Sequence, residues 1–322
     1  MFLLQSDIFL WDLSIIILIV FLFSGAIACL TWTKRHPHKP LQKFLISIAG
    51  LLSVVGCCLV VYGSFVEPQM ITVTEKVISH PLGSPVKIAV ISDIHVGAYK
   101  GEAFLQRVVK RTNALLPDIV VLPGDFILNH DSDLKDLSPL KNLRTTMGTY
   151  AVLGNHDVGE YETLLGKRYT GTDRGERISS ALSALGVTML RNESKILTLP
   201  HGKIAIAGID DIWTGHADLT SALAGIDPTV YTVLLSHNPS VIDEAESLGA
   251  HLIISGHTHG GQVRIPGLGP LSKLPTSLGQ EYDQGVFEID DDTTLAISRG
   301  IGESSARTRL FATPEILLLQ TE

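Results

Sequence analysis

Cysteine is scarce in this chain and confined to its front. There are three in 322 residues, Cys29, Cys57 and Cys58, and none after Met70. The region beyond Met70 therefore has neither a disulfide framework nor a thiolate zinc site available to it. Charge is missing altogether from residues 13–32 and 44–66, which contain no Asp, Glu, Lys or Arg. Each run is about the length of a bilayer-crossing helix, and its lack of charge argues against a buried helix of a soluble protein. Residues 1–12 carry no Lys or Arg, which argues against a cleaved signal peptide. No basic stripe interleaved with aromatics is found and the formal net charge is −8, so nucleic acid is a poor partner. There is no internal repeat and no low-complexity segment.

What is present begins with hydrophobicity, 45% of residues and a mean hydropathy of +0.28, with the excess at the front. Between the two apolar runs, residues 33–43 are basic and proline-interrupted, carrying Lys34, Arg35, Lys39 and Lys43. That reads as the loop of a transmembrane helical hairpin. The positive-inside rule places it in the cytoplasm and everything after Val66 on the opposite face. The expected organisation is two transmembrane helices with a basic loop in residues 1–66, a linker and first strand in 67–84, with Glu67-Pro68 leaving the membrane, and a catalytic domain in 85–322. The expected location is the cell (inner) membrane, two-pass, with the domain extracytoplasmic.

The domain is organised around the stretch 252–261, LIISGHTHGG, where an apolar run ends in a glycine and then His257 and His259. Two residues apart on an extended segment, both imidazoles face one way. The same design recurs four times. Apolar runs deliver Asp93 and His95, then Asp125, then Asn155, His156 and Asp157, and then His237. In open α/β sheets, sites form at that carboxyl edge of the strands. Between these runs, helices are expected at residues 102–116, 177–185, 216–223 and 239–248. Further strands are expected near 187–190, 204–207, 263–265, 286–289, 295–298 and 315–319. The mixture suggests two packed sheets flanked by helices.

Asp93, His95, Asp125, Asn155, His237, His257 and His259 offer oxygen and imidazole donors. That set suits manganese, iron or zinc better than calcium, and seven side chains exceed the needs of one ion. Two divalent metal ions clamp the attacking and leaving oxygens of a phosphoryl displacement and acidify a water between them.

In order, Asp93-x-His95, Gly124-Asp125, Gly154-Asn155-His156-Asp157, His237 and Gly256-His257-Thr258-His259 resemble the five signature blocks of the calcineurin-like metallophosphoesterases. Residues 260–264, 298–302 and 314–315 look like the membrane-anchored YkuE/YaeI-like branch of that family. The resemblance implies an α/β fold, a four-layer α-β-β-α sandwich. It assigns Asp93, His95, Asp125 and His259 to a first metal and Asp125, Asn155, His237 and His257 to a second, with Asp125 bridging. His156 would protonate the leaving group or steady the phosphoryl oxygens, with Asp157 holding it in orientation. The metal it implies is manganese first, with iron or zinc as alternatives.

The function expected is a membrane-anchored phosphodiesterase acting on an envelope or lipid-linked phosphate ester. The alternative is a pyrophosphohydrolase of a nucleotide-linked lipid such as UDP-2,3-diacylglucosamine, which needs a cytoplasm-facing site. A non-catalytic scaffold would have lost a ligand or the acid, and here all are present. His36, His38, His80, His130, His201, His216 and His251 stand at no strand end in this pattern and read as ordinary surface or core histidines. Asp210 and Asp211 read as a turn or as support for the site. Arg264, Arg299 and Arg309 read as phosphate contacts or as solvated. Lys167, Arg168, Arg174 and Arg177 read as a solvated helix face, with a basic rim as the alternative. Residues 266–284 read as a long loop near the site or the bilayer; if it is a lid, mutating it should alter substrate preference.

Overall fold

The computed structural model describes residues 2–78, 85–163, 166–169, 174–200, 202–247 and 249–321, without side chains at 2–7, 160–163, 166–169, 243, 246 and 247. The first helix, Phe2–Arg35, runs straight through the uncharged run and ends on Lys34 and Arg35. The second, Pro40–Val61, opens on a proline, whose fixed φ and missing N–H suit the first helical turn. It continues through a wider turn at Tyr62–Val66 and a tight one at Glu67–Gln69. Ile8–Arg35 and Pro40–Gln69 are long and apolar enough to cross a membrane, and the most apolar stretch of each has no residue buried against protein. Small residues meet where the two helices touch. A side chain at Gly50 would lie 3.0 Å from Cys29 Cβ, and one at Gly25 3.6 Å from Ser53 Oγ. Such close approach is how helices pair in lipid, where burial of apolar surface supplies no drive.

Two six-stranded sheets follow. One runs, in spatial order, Thr72–Ile78, Glu315–Thr321, Lys87–Val90, Ile119–Pro123, Thr149–Val152 and Thr188–Met189. The other runs Gly285–Glu288, Thr294–Ile297, Leu252–Ser255, Tyr231–Leu235, Gly202–Gly208 and Glu193–Leu199. The strands that end in ligand-type residues lie side by side and parallel, three in the first sheet and two in the second. Alternation along each strand then splits the core. Ile88, Val90, Ile119, Val121, Val233 and Ile254 fill the space between the sheets. Ala89, Val120 and Leu122 face outward onto Phe104, Leu105 and Val108 of the helix Glu102–Ala114 and Leu182 of the helix Gly175–Ser183. Leu234, Ile253 and Leu295 face outward on the other side, onto Leu219, Ala222 and Ala245. The result is helix, sheet, sheet, helix, and each Val, Leu or Ile buried this way contributes about 1.5–3 kcal/mol.

Most expected elements stand within a residue or two of their places. The segment expected as one helix at 239–248 is instead a tight turn, Pro239–Val241, held by the Asn238 side chain on Ser240 N, followed by the helix Ile242–Ser247. Residue 248 and His201 lie outside the described residues, as does His80. The strand Thr72–Ile78 is bonded in parallel along its whole length to Glu315–Thr321, so the segment after the membrane helices is part of the sandwich.

That segment is also clamped. Glu67 is buried, and its carboxylate accepts from the backbone N–H of Phe311 and Ala312 and from Thr313 Oγ1, at 3.0, 2.8 and 2.9 Å. Buried Lys100 donates to the Pro68 carbonyl and pairs with Glu303 at 3.1 Å. Glu67-Pro68 therefore locks the second helix to the domain, where the sequence suggested only an exit.

Candidate metal centre

The ligand-type residues converge because adjacent parallel strands end at one edge and their following loops are bonded to each other. Asp93 N donates to the Gly124 carbonyl at 3.1 Å, His95 N to Asp125 O at 3.0 Å, and Gly256 N to His237 O at 3.1 Å. Asp93, His95, Asp125, His257 and His259 all have positive φ, between 46° and 67°. A non-glycine residue held there costs about 1–3 kcal/mol, and such strain gathers at functional sites. Gly256 is required by proximity instead: a Cβ there would stand 1.8 Å from Ser92 Oγ and 2.3 Å from Asp93 Oδ2.

Two clusters result, and both are buried. Asp93, His95, Asp125 and His259 form one; Asp125, His237 and His257 form the other; in each the donor atoms lie within 4.8 Å of one another. Asp125 belongs to both, with its Oδ2 3.3 Å from His95 Nε2 and 3.2 Å from His237 Nε2. His95 Nε2 faces His259 Nε2 at 3.3 Å, and His257 Nδ1 faces His237 Nε2 at 2.9 Å. Asn155 Oδ1 is buried with no hydrogen-bond partner. Imidazole nitrogens turned toward one another, and an orphaned amide oxygen beside a shared carboxylate, are costly in a low-dielectric interior unless a cation sits among them. The oxygen and nitrogen donor set fits divalent transition ions.

The rings are fixed from behind. His237 Nδ1 is bonded to the Pro123 carbonyl at 2.8 Å and His95 Nδ1 to Ile127 O at 3.2 Å, which directs the opposite nitrogen to the cluster. Trp213, which sequence reasoning missed, packs edge-on to His257 with ring centroids 4.4 Å apart. Burial would pull His237 down, but the Asp125 charge and hydrogen bond overcome it and raise it to about 10. Burial would lift Asp125, yet His237 and His156 hold it well below the usual carboxylate range. Burial also raises Asp93. His156, crowded by protein although one edge meets the cavity, is pushed down to about 4, chiefly by burial.

Asp157 does not orient His156 as expected. Its carboxylate accepts from the backbone N–H of Phe126, Ile127 and Gly154, at 2.8, 3.2 and 2.9 Å. His156 is held instead by the Asp125 loop, with Nδ1 on the Leu128 carbonyl at 2.8 Å and its backbone N–H on Asp125 Oδ1 at 3.0 Å. Asp157 therefore ties together the loops that carry Asp125 and Asn155.

The three arginines are neither solvated nor free. Arg309 is wholly buried and donates to the carbonyls of Gly302, Ala312 and Arg299, at 3.0, 2.8 and 2.9 Å. Arg264 pairs with Asp283, and Arg299 pairs with Glu315 at 3.3 Å. Asp210 is bonded by Arg191 through both oxygens, and Asp211 caps a turn through Thr214 N. Arg174 donates to the His156 carbonyl at 3.0 Å, Arg177 lies on the exposed face of its helix, and the side chains of Lys167 and Arg168 lie outside the described residues.

Above the clusters opens a cavity of about 400 Å³. Asp125, Asn155, His156, His257 and His259 form its floor, and Gln262, Lys273 to Pro275 and Ser304 to Ala306 form its walls. Trp11, from the first membrane helix, lines it as well. Lys273 is the one Lys or Arg among the described lining residues. Trp11 carried no sequence signal, and Lys273 only that of its loop, 266–284, expected near the site or the bilayer.

Two packed sheets with two buried Asp/His clusters at their shared edge define a metallophosphoesterase architecture, and comparison with known proteins agrees. The family model described as calcineurin-like phosphoesterase matches residues 86–261, and the chain belongs to that family. It is 32% identical over 263 residues to the metallophosphoesterase YkuE of Bacillus subtilis, covering 79% of this chain and 87% of that protein. To a transmembrane protein with metallophosphoesterase domain from Bos taurus it is 30% identical over 315 residues, 92% of this chain and 65% of the bovine one. To the UDP-2,3-diacylglucosamine pyrophosphatase LpxG of Chlamydia muridarum it is 25% identical over 329 residues, 86% of this chain and 98% of that one. The chain is thus a phosphoester hydrolase with a buried Asp/His cluster that could bind metal ions. Its apolar helices and its transmembrane relative support membrane association.

Proposed function

We propose that this chain is a two-metal phosphodiesterase of the inner membrane, acting on an envelope or lipid-linked phosphate ester. Asp93, His95, Asp125 and His259 hold one divalent cation, manganese first, and Asp125, Asn155, His237 and His257 hold the other. The observation that carries this reading is the position of Asp125, one oxygen of which lies within 3.3 Å of a histidine from each cluster. When bound, such a pair supplies a hydroxide nucleophile near neutral pH and charge to offset the phosphoryl oxygens. The chain's own residues do the rest. With Nδ1 committed to Leu128, His156 has Nε2 for the substrate. Neutral in the free protein, that nitrogen takes a proton from solvent as the anionic ester arrives, and gives it to the departing alkoxide or donates it in a hydrogen bond to a phosphoryl oxygen. Asp157 keeps the Asp125 and Asn155 loops in register.

The positive-inside argument puts the domain outside the cytoplasm. The likeness to LpxG supports a second reading, hydrolysis of the pyrophosphate of a nucleotide-linked lipid. That reading needs the opposite orientation, and protection of the domain from external protease on sealed cells would favour it.

The test uses full-length protein in detergent with Mn²⁺ and bis(p-nitrophenyl) phosphate. Asp125→Asn should lose bound metal and turnover together, whereas His156→Ala should lose turnover and keep its metal. Wild-type turnover in Asp125→Asn would sink the two-metal mechanism.

A further inference from the structure

The membrane helices do more than tether the domain, because both meet it beside the mouth of the cavity. Trp11 of the first helix lines the cavity itself. Its neighbour Asp12 pairs with Arg307 at 3.8 Å, and the Arg307 guanidinium lies 4.9 Å from the Tyr99 ring and 5.8 Å from Phe65 at the end of the second helix. Gly63, in that same end, accepts from Arg309 N at 2.8 Å. A side chain there would lie 3.4 Å from Leu310 Cβ. Residues 307–310 are therefore seated against the first helix at Asp12 and against the end of the second.

A hairpin hangs on that segment. Arg264 N donates to the Leu310 carbonyl at 2.9 Å, and Arg264–Ile265 pairs antiparallel with Gly269–Pro270. Its apolar side chains lie open: Leu268 is 82% exposed, Leu271 66% and Ile265 43%, with Phe311 beside them at 49%. Four large exposed apolar side chains, three on the hairpin and one next to the Leu310 it is bonded to, on a segment seated against both helices, offer a surface suited to lipid. Trp11 stands where interfacial tryptophans gather, at the start of the uncharged run 13–32 of its helix. Just beyond Leu271, Lys273 offers the cavity rim a cation.

We propose that this hairpin and Phe311 sit in the bilayer interface and that the cavity is loaded sideways from the membrane. The substrate class is then an amphiphilic phosphate ester. Its phosphorus reaches the Asp/His clusters past Trp11 and Lys273 while its acyl chains stay in the bilayer beside Leu268. This deepens the phosphodiesterase reading and rests on it.

Two substrates with one reacting centre separate the two ideas: methyl p-nitrophenyl phosphate, which is soluble, and hexadecyl p-nitrophenyl phosphate in vesicles of phosphatidylcholine and phosphatidylglycerol. The protein is reconstituted at full length. Wild type should prefer the hexadecyl ester, and Leu268→Asp combined with Leu271→Asp should cut its kcat/KM about tenfold or more, given what exposing one leucine costs, while leaving the methyl ester unchanged. In parallel, Leu268→Trp should be quenched by lipids brominated near the head group, a readout that needs no turnover. Equal falls on both esters, or no quenching, overturns the proposal. Failure of wild type to cleave even the methyl ester strikes the phosphodiesterase reading instead, and the quenching result still decides the membrane contact.

Discussion

Removing the Asp157 carboxylate strands three buried donors at once. Its Oδ1 serves Phe126 N and Ile127 N, its Oδ2 serves Gly154 N, and the residue has no exposure through which water could replace it. A hydrogen bond to a charged group is worth about 1.5–3 kcal/mol and an orphaned buried donor costs about 1–3 kcal/mol. With partial relaxation and the non-additivity of neighbours, Asp157→Ala should cost about 3–5 kcal/mol in all. Asp157→Asn is the sharper probe. One amide oxygen still serves Phe126 and Ile127, but the amide nitrogen then faces the Gly154 N–H, donor against donor, at about 1–3 kcal/mol. Those amides belong to the loops of Asp125 and Asn155, so metal affinity should fall about 10–100-fold. Thermal unfolding of the full-length protein in detergent, with and without Mn²⁺, and a metal titration read both effects. A wild-type melting temperature and wild-type affinity in Asp157→Asn would refute the reasoning. The pH dependence gives a further arm. Burial, and then the charge of Asp125, push Asp157 from 3.8 up to about 7. A carboxyl whose folded pKa lies above its unfolded one binds more protons in the folded state. Its stabilising contribution is therefore complete below 3.8 and drains away as pH rises to about 7. Chelator-treated wild type should lose melting temperature across that interval, and Asp157→Asn should flatten the slope.

Two other substitutions follow from the packing. Arg309→Met should destabilise the protein by about 3–5 kcal/mol, because it leaves three buried carbonyls without donors and Glu303 with Lys100 as its one cation among the described residues; Arg309→Lys should not restore the melting temperature, since an ammonium cannot reproduce the planar fork. Gly256→Ala should lose metal binding along with about 1–3 kcal/mol of stability, as its methyl group would force Ser92 and Asp93 apart; unchanged metal content in that variant would show that the contact is not needed.

The sequence by itself determined the site's chemistry. Burial writes apolar runs, and chemistry writes Asp, Asn and His at their ends, so five short segments were enough to name seven ligand-type residues, and two uncharged runs to name the bilayer-length helices. Those signals are local: each depends on residues a few positions apart, and the pairing of neighbouring parallel strands follows from them. What the local pattern cannot encode is which side chains from distant segments meet. A buried arginine and a solvated one look alike in a sequence, so Arg309 read as a surface or phosphate-binding residue although it is sealed among the backbone carbonyls of Gly302, Ala312 and Arg299. Asp157 read as a partner of its neighbour and instead bonds a loop about thirty positions back. Trp11 lies in the first membrane helix and Lys273 in a late loop, and only the docking of that helix against residues 307–310 brings both to one cavity. Contacts of that kind are set by how whole layers pack, and the free energy that selects them is shared across the entire interface, so no single stretch of chain carries their signature.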